Sequence, residues 1–258
     1  MPDPVLIQRY KRHVVLTLNR PGSRNPLPYR PEDGLLPILK TLQQDQAIRA
    51  IVLTGAPPAF CSGLDLAGLK ALQKASKKQN LVDAKQIQAF FEYLRTYPKP
   101  IIAAVNGPAV AGGAGLTLIC DVAIWSDTAS LCFSEVKIGF VPALVGVYAQ
   151  RLLGARIAQE MLLSARTVKP DEALRLGLAQ EVVPAAELLT RADAWAERFC
   201  AVSPEAVALT KRLLDVTQNM PLDKALEEAT KINAEARGTP SAQEGIAAFL
   251  EKRLPKWI

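Results

Sequence analysis

The stretch "VNGPAVAGGAGLTLICD" (residues 105–121) places four glycines in an otherwise apolar part of the chain. It overlaps "PIIAAVNG", whose apolar run has the length of one buried strand, and it ends in "GLTLICD", which predicts an apolar helix. The stretch therefore predicts a strand, a glycine-rich loop and a helix that begins near Gly112. Without Cβ atoms, the backbone of this loop can be approached closely by a ligand or by a packed strand.

A helix that begins at Gly112 would present unpaired N–H groups and the positive end of its macrodipole at its first turn. Such a terminus would stabilise a carbonyl oxygen that gains negative charge, as in an oxyanion hole. Close packing of a helix on a sheet also favours glycine, so this stretch alone leaves both interpretations open. A second stretch, "AFCSGLDL" (59–66), favours the oxyanion hole, because it also follows a predicted buried strand and contains a glycine, Gly63.

The rest of the 258-residue chain has the pattern of an α/β protein. Alternation in "VLIQRYKRHVVLTLNRP" predicts two strands, and "AIVLTG", "VAIWSD", "SLCFSEVKIGF" and "LAQEVVP" each predict one more. Helical spacing covers residues 68–96, and the chain is helix-like throughout from about residue 187. Ser203 and a capping-box pattern that begins at Ser241 predict two of the helix starts.

Composition excludes several classes of protein. The longest apolar runs are far too short to span a bilayer, and no secretory signal is visible at the N-terminus. The four cysteines form no CxxC pair, which predicts neither a zinc site nor a disulfide framework and favours a reduced, cytoplasmic protein. The basic residues behind the net charge of +6 are scattered along the chain. They form no basic stripe interleaved with aromatic residues, so no nucleic-acid partner is predicted. Lysines cluster only in "KALQKASKK" (70–78). This cluster is interpreted either as a solvated helix face or as a binding surface for an anionic ligand.

The residues present also limit the chemistry. His13 is the only histidine and there is no GxSxG elbow, so neither a Ser-His-Asp site nor a histidine-rich metal site is expected. The glycine stretch lacks the Lys-Ser/Thr pair of a Walker A loop, and Leu118 stands where GxGxxG needs its third glycine. The loop is therefore not expected to bind a nucleotide phosphate in either of these two ways. No bound metal is predicted for this chain.

Three motifs follow one another along the chain: "AFCSGLDL", "KPIIAAVNGPAVAGGAGLTLICD" and "FSEVKIGFVP" (133–142). In this order and spacing they resemble the crotonase, or enoyl-CoA hydratase/isomerase, family, and the resemblance runs from "LTLNRP" to "EGIAAFLEKR". It implies a spiral core of repeated ββα units at residues 1–190 and a helical region at 191–258 that builds trimers or dimers of trimers. It also implies an acyl-CoA thioester substrate, no cofactor beyond that coenzyme A, and no membrane partner.

The resemblance further implies roles for individual residues. The thioester oxygen would lie between the backbone N–H groups of Leu64 and Gly112. The family's contacts to coenzyme A or the acyl group map onto these two residues and onto Arg24, Ser62, Asp65, Leu66 and Gly115. In the family a lysine often follows the Asp-Leu pair closely, and the first candidate here is Lys70.

Typical hydratases of the family use two glutamates, and this chain has one of them. Glu135 matches the second of these glutamates, and its apolar surroundings predict a raised pKa. Gly115 stands at the position of the first glutamate, where it would leave room for water or substrate. A single glutamate is the family's isomerase pattern. The context of "GGAGL" and "SEVKIGFVPA", however, resembles bacterial hydratases with glycine here, including methylglutaconyl-CoA-hydratase-like members. Hydration of an enoyl-CoA is therefore favoured, and a double-bond isomerase or a non-catalytic acyl-CoA-binding subunit stays open.

Overall fold

A six-stranded sheet forms the centre of the protein, in a computed structural model that describes residues 3–257 and, at residues 66 and 67, the backbone alone. Numbered in chain order, its strands lie side by side as β1 (Val5–Arg9), β2 (His13–Leu18), β3 (Ala50–Gly55), β4 (Ile101–Val105), β6 (Val122–Ser126) and β8 (Glu181–Val183). A separate two-stranded sheet pairs β5 (Pro108–Val110) with β7 (Ser130–Cys132). The pair β1–β2 is antiparallel, and the other pairs among the described strands are parallel.

Helices connect most of the strands, because parallel neighbours need a crossover connection. In chain order the helices are α1 (Leu35–Gln44), α2 (Leu66–Leu72), α3 (Lys77–Arg95), α4 (Gly112–Ile119), α5 (Ala143–Leu153), α6 (Ala155–Ser164), α7 (Pro170–Arg175), α8 (Leu188–Cys200), α9 (Pro204–Thr217), α10 (Leu222–Arg237) and α11 (Pro240–Leu250). Short 3-10 turns cover Pro21–Ser23, Pro31–Asp33, Glu135–Ile138 and Ala185–Glu187. Within residues 3–257, none of the helices combines the length and the apolar character that crossing a membrane requires.

The hydrophobic core lies on both faces of the large sheet. Every residue of β3, β4 and β6 is buried, as expected for parallel strands that are covered on both sides. The larger cluster of buried side chains includes residues of α1, α3, α4, α5, α6 and α7. The smaller cluster lies where α8 packs Ala192, Ala196 and Cys200 against the sheet. The boundary expected at residue 190 falls within α8, and the helices after it, α9, α10 and α11, pack against one another.

The predicted α/β architecture is confirmed, and the differences are local. The helical spacing over residues 68–96 corresponds to two helices, α2 and α3. They are separate because Ser76 accepts a hydrogen bond from the Gln79 N–H and caps α3 at its start. The helix start predicted at Ser241 is wrong, because Thr239 caps α11 two residues earlier. The starts of α3 and α11 are therefore set by side chains that accept hydrogen bonds from the backbone, and not by the apolar spacing.

The single histidine joins the sheet to α8. His13 is buried on β2, and its Nε2 lies 3.2 Å from Asp193 Oδ1 while its Nδ1 lies 3.3 Å from Glu197 Oε1. The imidazole ring also stacks on the Tyr10 ring, with 4.5 Å between the ring centroids. These contacts lie on the α8 side of the sheet, and His13 does not line the cavity described below. They give the residue a structural role.

The loops that leave β3 and β4 come together at one edge of the sheet. Asn25 is buried, and its Nδ2 donates hydrogen bonds to the carbonyl oxygens of Ala56 and Ala59, each at 2.7 Å. The N–H of Val110 donates to the carbonyl oxygen of Cys61 at 2.9 Å. The loop after β3 is therefore held between Asn25 on one side and β5 on the other, which places two glycine-bearing segments side by side.

Candidate active site

The two strand exits meet at Gly63 and Gly112. Gly63 has a φ of +82°, and a Cβ at this position would lie 2.8 Å from the Val110 carbonyl oxygen and 3.0 Å from the Gly112 nitrogen. A side chain there would strain the backbone and force the two loops apart. Because Leu64 follows Gly63 directly, the N–H groups of Leu64 and Gly112 belong to backbone segments that are in contact.

The turn before α4 has an unusual backbone. Ala111 has φ 51° and ψ −119°, a conformation that residues with a side chain rarely adopt and that is often found at functional sites. The Ala111 N–H donates to the Cys132 carbonyl oxygen at 2.8 Å, which ties the turn to β7. Gly112 is the first residue of α4, so its N–H has no acceptor within the helix. In the part of the chain that the structure describes, neither this N–H nor that of Leu64 donates to a protein acceptor.

Leu64 and Gly112 lie on the wall of a cavity of about 530 Å³. The wall is mostly apolar and comes from the loop after β3, from α2 and α3, from the start of α4 and from residues 134–145. Polar side chains line it at Ser62, Gln73, Asn80, Asp83, Ser134 and Glu135. A second cavity of about 60 Å³ adjoins it and shares Leu27, Leu64, Leu69 and Leu72 with it. An apolar cavity with a few polar groups is typical of a site for a small organic ligand.

Glu135 reaches this cavity from a 3-10 turn. The strand predicted at this position is wrong, because β7 ends at Cys132 and Glu135 begins the turn Glu135–Ile138. The residue is 9% exposed, and its Oε2 has no hydrogen-bond partner among the described residues. Burial raises the pKa of this carboxyl above its ordinary value of 4.5, opposed in part by a hydrogen bond from its own backbone N–H. The direction of the pKa shift agrees with the prediction, and a raised pKa suits a buried carboxyl to proton transfer.

Of the other residues expected to contact the ligand, Ser62 and Asp65 line the cavities. Ser62 lines the larger cavity, and Asp65 lines the smaller one. Arg24 and Lys70 are exposed and line neither cavity. The side chain of Leu66 lies outside the described residues, so its contact with the ligand stays a prediction.

The space expected beside Gly115 does not exist. A Cβ on Gly115 would lie 2.3 Å from Val145 Cγ1 and 3.3 Å from Phe91 Cζ, because α3 and α5 pack directly against this turn of α4. Gly115 is buried, and it does not line the cavity, so the prediction that water or substrate fills this position is wrong. Gly113 also serves packing, since a Cβ there would lie 2.1 Å from the Cys61 carbonyl oxygen. Of the glycines within α4, Gly112 is the one that faces the cavity.

Adding a methyl group at Gly115 is expected to destabilise the protein. Gly115→Ala should lower the free energy of unfolding by roughly 1–3 kcal/mol, because the stiff Val145 side chain cannot move aside without shifting α5. Gly146→Ala is the matched control on α5, where the new Cβ would be 3.5 Å from Leu162 Cδ1, an ordinary contact. That control should gain up to about 1 kcal/mol, as usual for glycine to alanine in a helix. Urea unfolding of both variants measures the difference, and equal effects would contradict the packing described here.

The enoyl-CoA hydratase/isomerase family model matches residues 9–258 of the chain. The chain belongs to this family. It is an enzyme with the fold of this family. A crystal structure of an enoyl-CoA hydratase from Mycobacterium smegmatis superposes on it with a TM-score of 0.91 at 33% identity, over 98% of each chain. The three sequence motifs therefore led to the correct family.

Several relatives of this family member have names that specify a reaction. A Thermus thermophilus protein that bears an enoyl-CoA hydratase name is 42% identical over 98% of this chain and 100% of its own length. The short-chain enoyl-CoA hydratase of Clostridium acetobutylicum is 30% identical over 96% of this chain and 95% of its own. The (E)-benzylidenesuccinyl-CoA hydratase of Thauera aromatica is 33% identical over 98% of both. The family thus includes hydratases of different acyl groups.

Sequence reasoning missed three residues around the cavity of this family member. Asn25 holds the loop after β3 through its hydrogen bonds to two carbonyl oxygens. In the sequence it stands next to Arg24 in "GSRNPL", and nothing in that segment predicts these bonds. Tyr29 donates its hydroxyl hydrogen to Asp83 Oδ1 at 2.6 Å, and Asp83 lines the cavity from α3. The tyrosine and the aspartate are 54 positions apart, so no local pattern could predict their contact.

Proposed function

We propose that this enzyme adds water to an α,β-unsaturated acyl-CoA thioester and forms the 3-hydroxyacyl-CoA. The observation that carries the proposal is the Glu135 carboxyl, which is buried and lines the same cavity as Leu64 and Gly112, and whose Oε2 has no hydrogen-bond partner within residues 3–257. The hydratase names of the relatives from Clostridium acetobutylicum and Thauera aromatica support hydration as the reaction.

In this mechanism the thioester oxygen accepts hydrogen bonds from the N–H groups of Leu64 and Gly112. As water bonds to the β-carbon, the electron pair of the double bond moves through the α-carbon onto the thioester oxygen and forms an enolate. The first turn of α4 directs the positive end of its dipole at this new charge. Loss of one donor from an oxyanion hole typically raises the barrier by roughly 3–4 kcal/mol.

Glu135 carries out both proton transfers. The ionised carboxylate removes a proton from water while the water oxygen bonds to the β-carbon. The resulting carboxylic acid then returns this proton to the α-carbon as the enolate collapses, so the carboxylate is regenerated. The Val145 side chain occupies the space beside Gly115, where a second glutamate would stand, which supports the use of one glutamate for both steps.

Coenzyme A lies along the smaller cavity. Arg20 and Asp65 line this cavity next to the shared Leu64, and Arg24 is exposed close by in the chain. Arg20 is paired with Asp33, with 2.8 Å between Nη1 and Oδ1, so its guanidinium is held in place beside the path. The proposal therefore gives Arg20 a role near the coenzyme that the sequence analysis gave to Arg24.

A double-bond isomerase is the second candidate, because Gly115 replaces one of the two glutamates of typical hydratases and leaves Glu135 in the cavity as the base. Moving a double bond from the β,γ to the α,β position needs only one base, which removes a proton and returns it elsewhere. A non-catalytic acyl-CoA-binding subunit is the third candidate, since the same cavity could bind a thioester without turning it over.

A panel of thioesters followed by the absorbance of the conjugated double bond separates the three functions. Hydration predicts that the absorbance of crotonyl-CoA falls with time. An isomerase would instead raise the absorbance with a β,γ-unsaturated thioester, and a binding subunit would bind thioesters with no change for any of them. Either of these two results would overturn the proposal.

The region of residues 191–258 is proposed to form a trimer or a dimer of trimers. Large apolar side chains are exposed there in the single chain: Leu214, Leu222, Leu226, Ile246, Phe249, Leu250 and Leu254. Exposed apolar surface of this extent is typical of an interface between proteins. Light scattering at micromolar concentration should give three or six times the 27.9 kDa of one chain. The mass of a monomer would contradict the prediction.

The proposed reaction needs no cofactor beyond the coenzyme A of the substrate, and no membrane or nucleic-acid partner. Among residues 3–257, no group of three or more His, Cys, Asp or Glu side chains is arranged to hold a metal ion. The four cysteines, Cys61, Cys120, Cys132 and Cys200, are free, which supports a reducing compartment such as the cytoplasm. Because the proposed mechanism uses only Glu135 and two backbone N–H groups, hydration should be unaffected by metal chelators.

A further inference from the structure

The cavity of about 530 Å³, which the proposed function assigns to the acyl group, presents acidic side chains among its described lining residues. Its wall includes two carboxyl groups, those of Asp83 and Glu135. Among the described residues that line it, none is lysine, arginine or histidine. The positive end of α4 lies at Gly112, where the proposed function places the thioester oxygen. A second negative charge on the acyl group would therefore find no cation in the cavity to bind it.

Asp83 is fixed in its position on the wall. It lies on the face of α3 that Asn80, Ala84 and Ile87 also present to the cavity, at helical spacing. Its side chain is 14% exposed, and its Oδ1 accepts a hydrogen bond from the Tyr29 hydroxyl at 2.6 Å. Burial raises the pKa of Tyr29 well above its usual range, so the hydroxyl keeps the proton that it donates. Asp83 cannot easily turn away from a ligand without losing this bond.

A cation beside the cavity is already paired with Asp83. Arg30 Nη2 lies 3.3 Å from Asp83 Oδ1, and the Arg30 guanidinium lies 5.0 Å from the centroid of the Tyr29 ring. Arg30 lines the smaller cavity and does not line the larger one. Asp83 lines the larger cavity where Arg30 does not, and it already holds the Arg30 ion pair that a second carboxylate on the substrate would need.

We propose that Asp83 is a specificity-determining residue, through which the cavity accepts uncharged acyl groups and rejects acyl groups that carry a second carboxylate. A carboxylate that enters the cavity loses its water and meets two carboxyl groups of the protein, while the described part of the wall offers it no lysine, arginine or histidine side chain. This inference deepens the proposed function and rests on it in placing the acyl group in the larger cavity.

The test measures binding of three saturated thioesters, so that it does not depend on turnover. The ligands are hexanoyl-CoA, hexanedioyl-CoA and the methyl ester of hexanedioyl-CoA, each titrated by calorimetry. The ester has the length of the diacid but no charge. Hexanedioyl-CoA should bind roughly 100-fold or more weakly than the ester, because like charges brought together in an interface cost several kcal/mol. Equal affinity for the diacid and the ester would overturn the inference.

Two variants assign the effect to Asp83. In Asp83→Asn the ratio of the ester's affinity to that of the diacid should fall at least about tenfold, since one charge is removed and Arg30 is released. Tyr29→Phe removes the hydrogen bond but keeps the charge, so this ratio should stay high. The ratio within each variant cancels any loss of folded protein. An unchanged ratio in Asp83→Asn would overturn the role given to Asp83.

The same experiment separates this inference from the proposed function. Selective binding of the uncharged thioesters by a protein that does not hydrate crotonyl-CoA would support the inference and contradict hydration. Hydration of crotonyl-CoA together with equal binding of the diacid and the ester would support the proposed function and contradict the inference. If none of the three thioesters binds, both the inference and the proposed function are wrong.

Discussion

Glu135→Gln is expected to lower kcat for hydration by roughly 100-fold or more, with a smaller effect on substrate binding. Glutamine keeps the shape of the side chain but can neither accept the proton from water nor return it to the α-carbon, and general acid–base catalysis contributes about this factor. Glu181→Gln, on β8 and away from the cavity, is the matched control and should keep most of the activity. An undiminished rate in Glu135→Gln would refute the mechanism.

The pH profile of the unmodified enzyme should report the same carboxyl. The reaction begins with ionised Glu135, so kcat/KM should fall as the pH drops through the pKa of this group in the free enzyme. Because burial raises this pKa, the acid limb should lie above the ordinary value of 4.5. A limb at or below that value would show that a different group controls the rate.

The raised pKa also predicts a cost in stability. Between pH 4.5 and the folded-state pKa, the folded protein binds the Glu135 proton more readily than the unfolded chain does. The free energy of unfolding therefore falls as the pH rises through this window, and the loss is complete above the folded-state pKa. Glu135→Gln should thus melt at a higher temperature than the unmodified enzyme at neutral pH, and this advantage should disappear below pH 4.5.

Gly63→Ala is expected to reduce kcat by roughly 100-fold to 1,000-fold, the usual effect of losing an oxyanion donor. The added methyl would lie 2.8 Å from the Val110 carbonyl oxygen and 3.0 Å from the Gly112 nitrogen, both of them backbone atoms. The loop after β3 must therefore move away from α4. Its N–H at Leu64 would then no longer converge with that of Gly112 on one oxygen.

Gly177→Ala is the matched control for the backbone strain. Gly177 has φ +73°, close to that of Gly63, and nothing lies within 4 Å of its added methyl. Both variants should lose stability through the left-handed backbone, but only Gly63→Ala should lose activity per folded molecule. Circular dichroism gives the folded fraction and initial rates give the activity. Equal activities per folded molecule would contradict the proposed use of the two N–H groups.

Much of the fold could be predicted from the sequence, because local patterns decide it. The buried parallel strands appear as short apolar runs such as "AIVLTG" and "IIAAV", and every residue of β3 and β4 is indeed buried. The start of α4 at Gly112 was also predictable, since glycines replace side chains where backbone segments approach closely. These features depend on residues that are near one another in the chain.

The rest of the site could not be predicted, because it depends on contacts between distant segments. Gly115 was expected to leave an open space, but Val145 from the following helix occupies it. Apolar neighbours made Glu135 look like a strand residue, whereas the chain turns there so that its carboxyl reaches the cavity. Asp83 sits in a polar helix with no motif, and only Tyr29 and Arg30 show why it is fixed.

The central claim is that water is added to the double bond, and the product formed in isotopically heavy water tests it most directly. The enzyme would be incubated with crotonyl-CoA and, separately, with a β,γ-unsaturated thioester, both in water enriched in heavy oxygen. Mass spectrometry should show a 3-hydroxyacyl-CoA that carries the heavy oxygen from crotonyl-CoA. A product from the β,γ-unsaturated thioester with unchanged mass and a shifted double bond, and no labelled hydroxyl from crotonyl-CoA, would contradict the account.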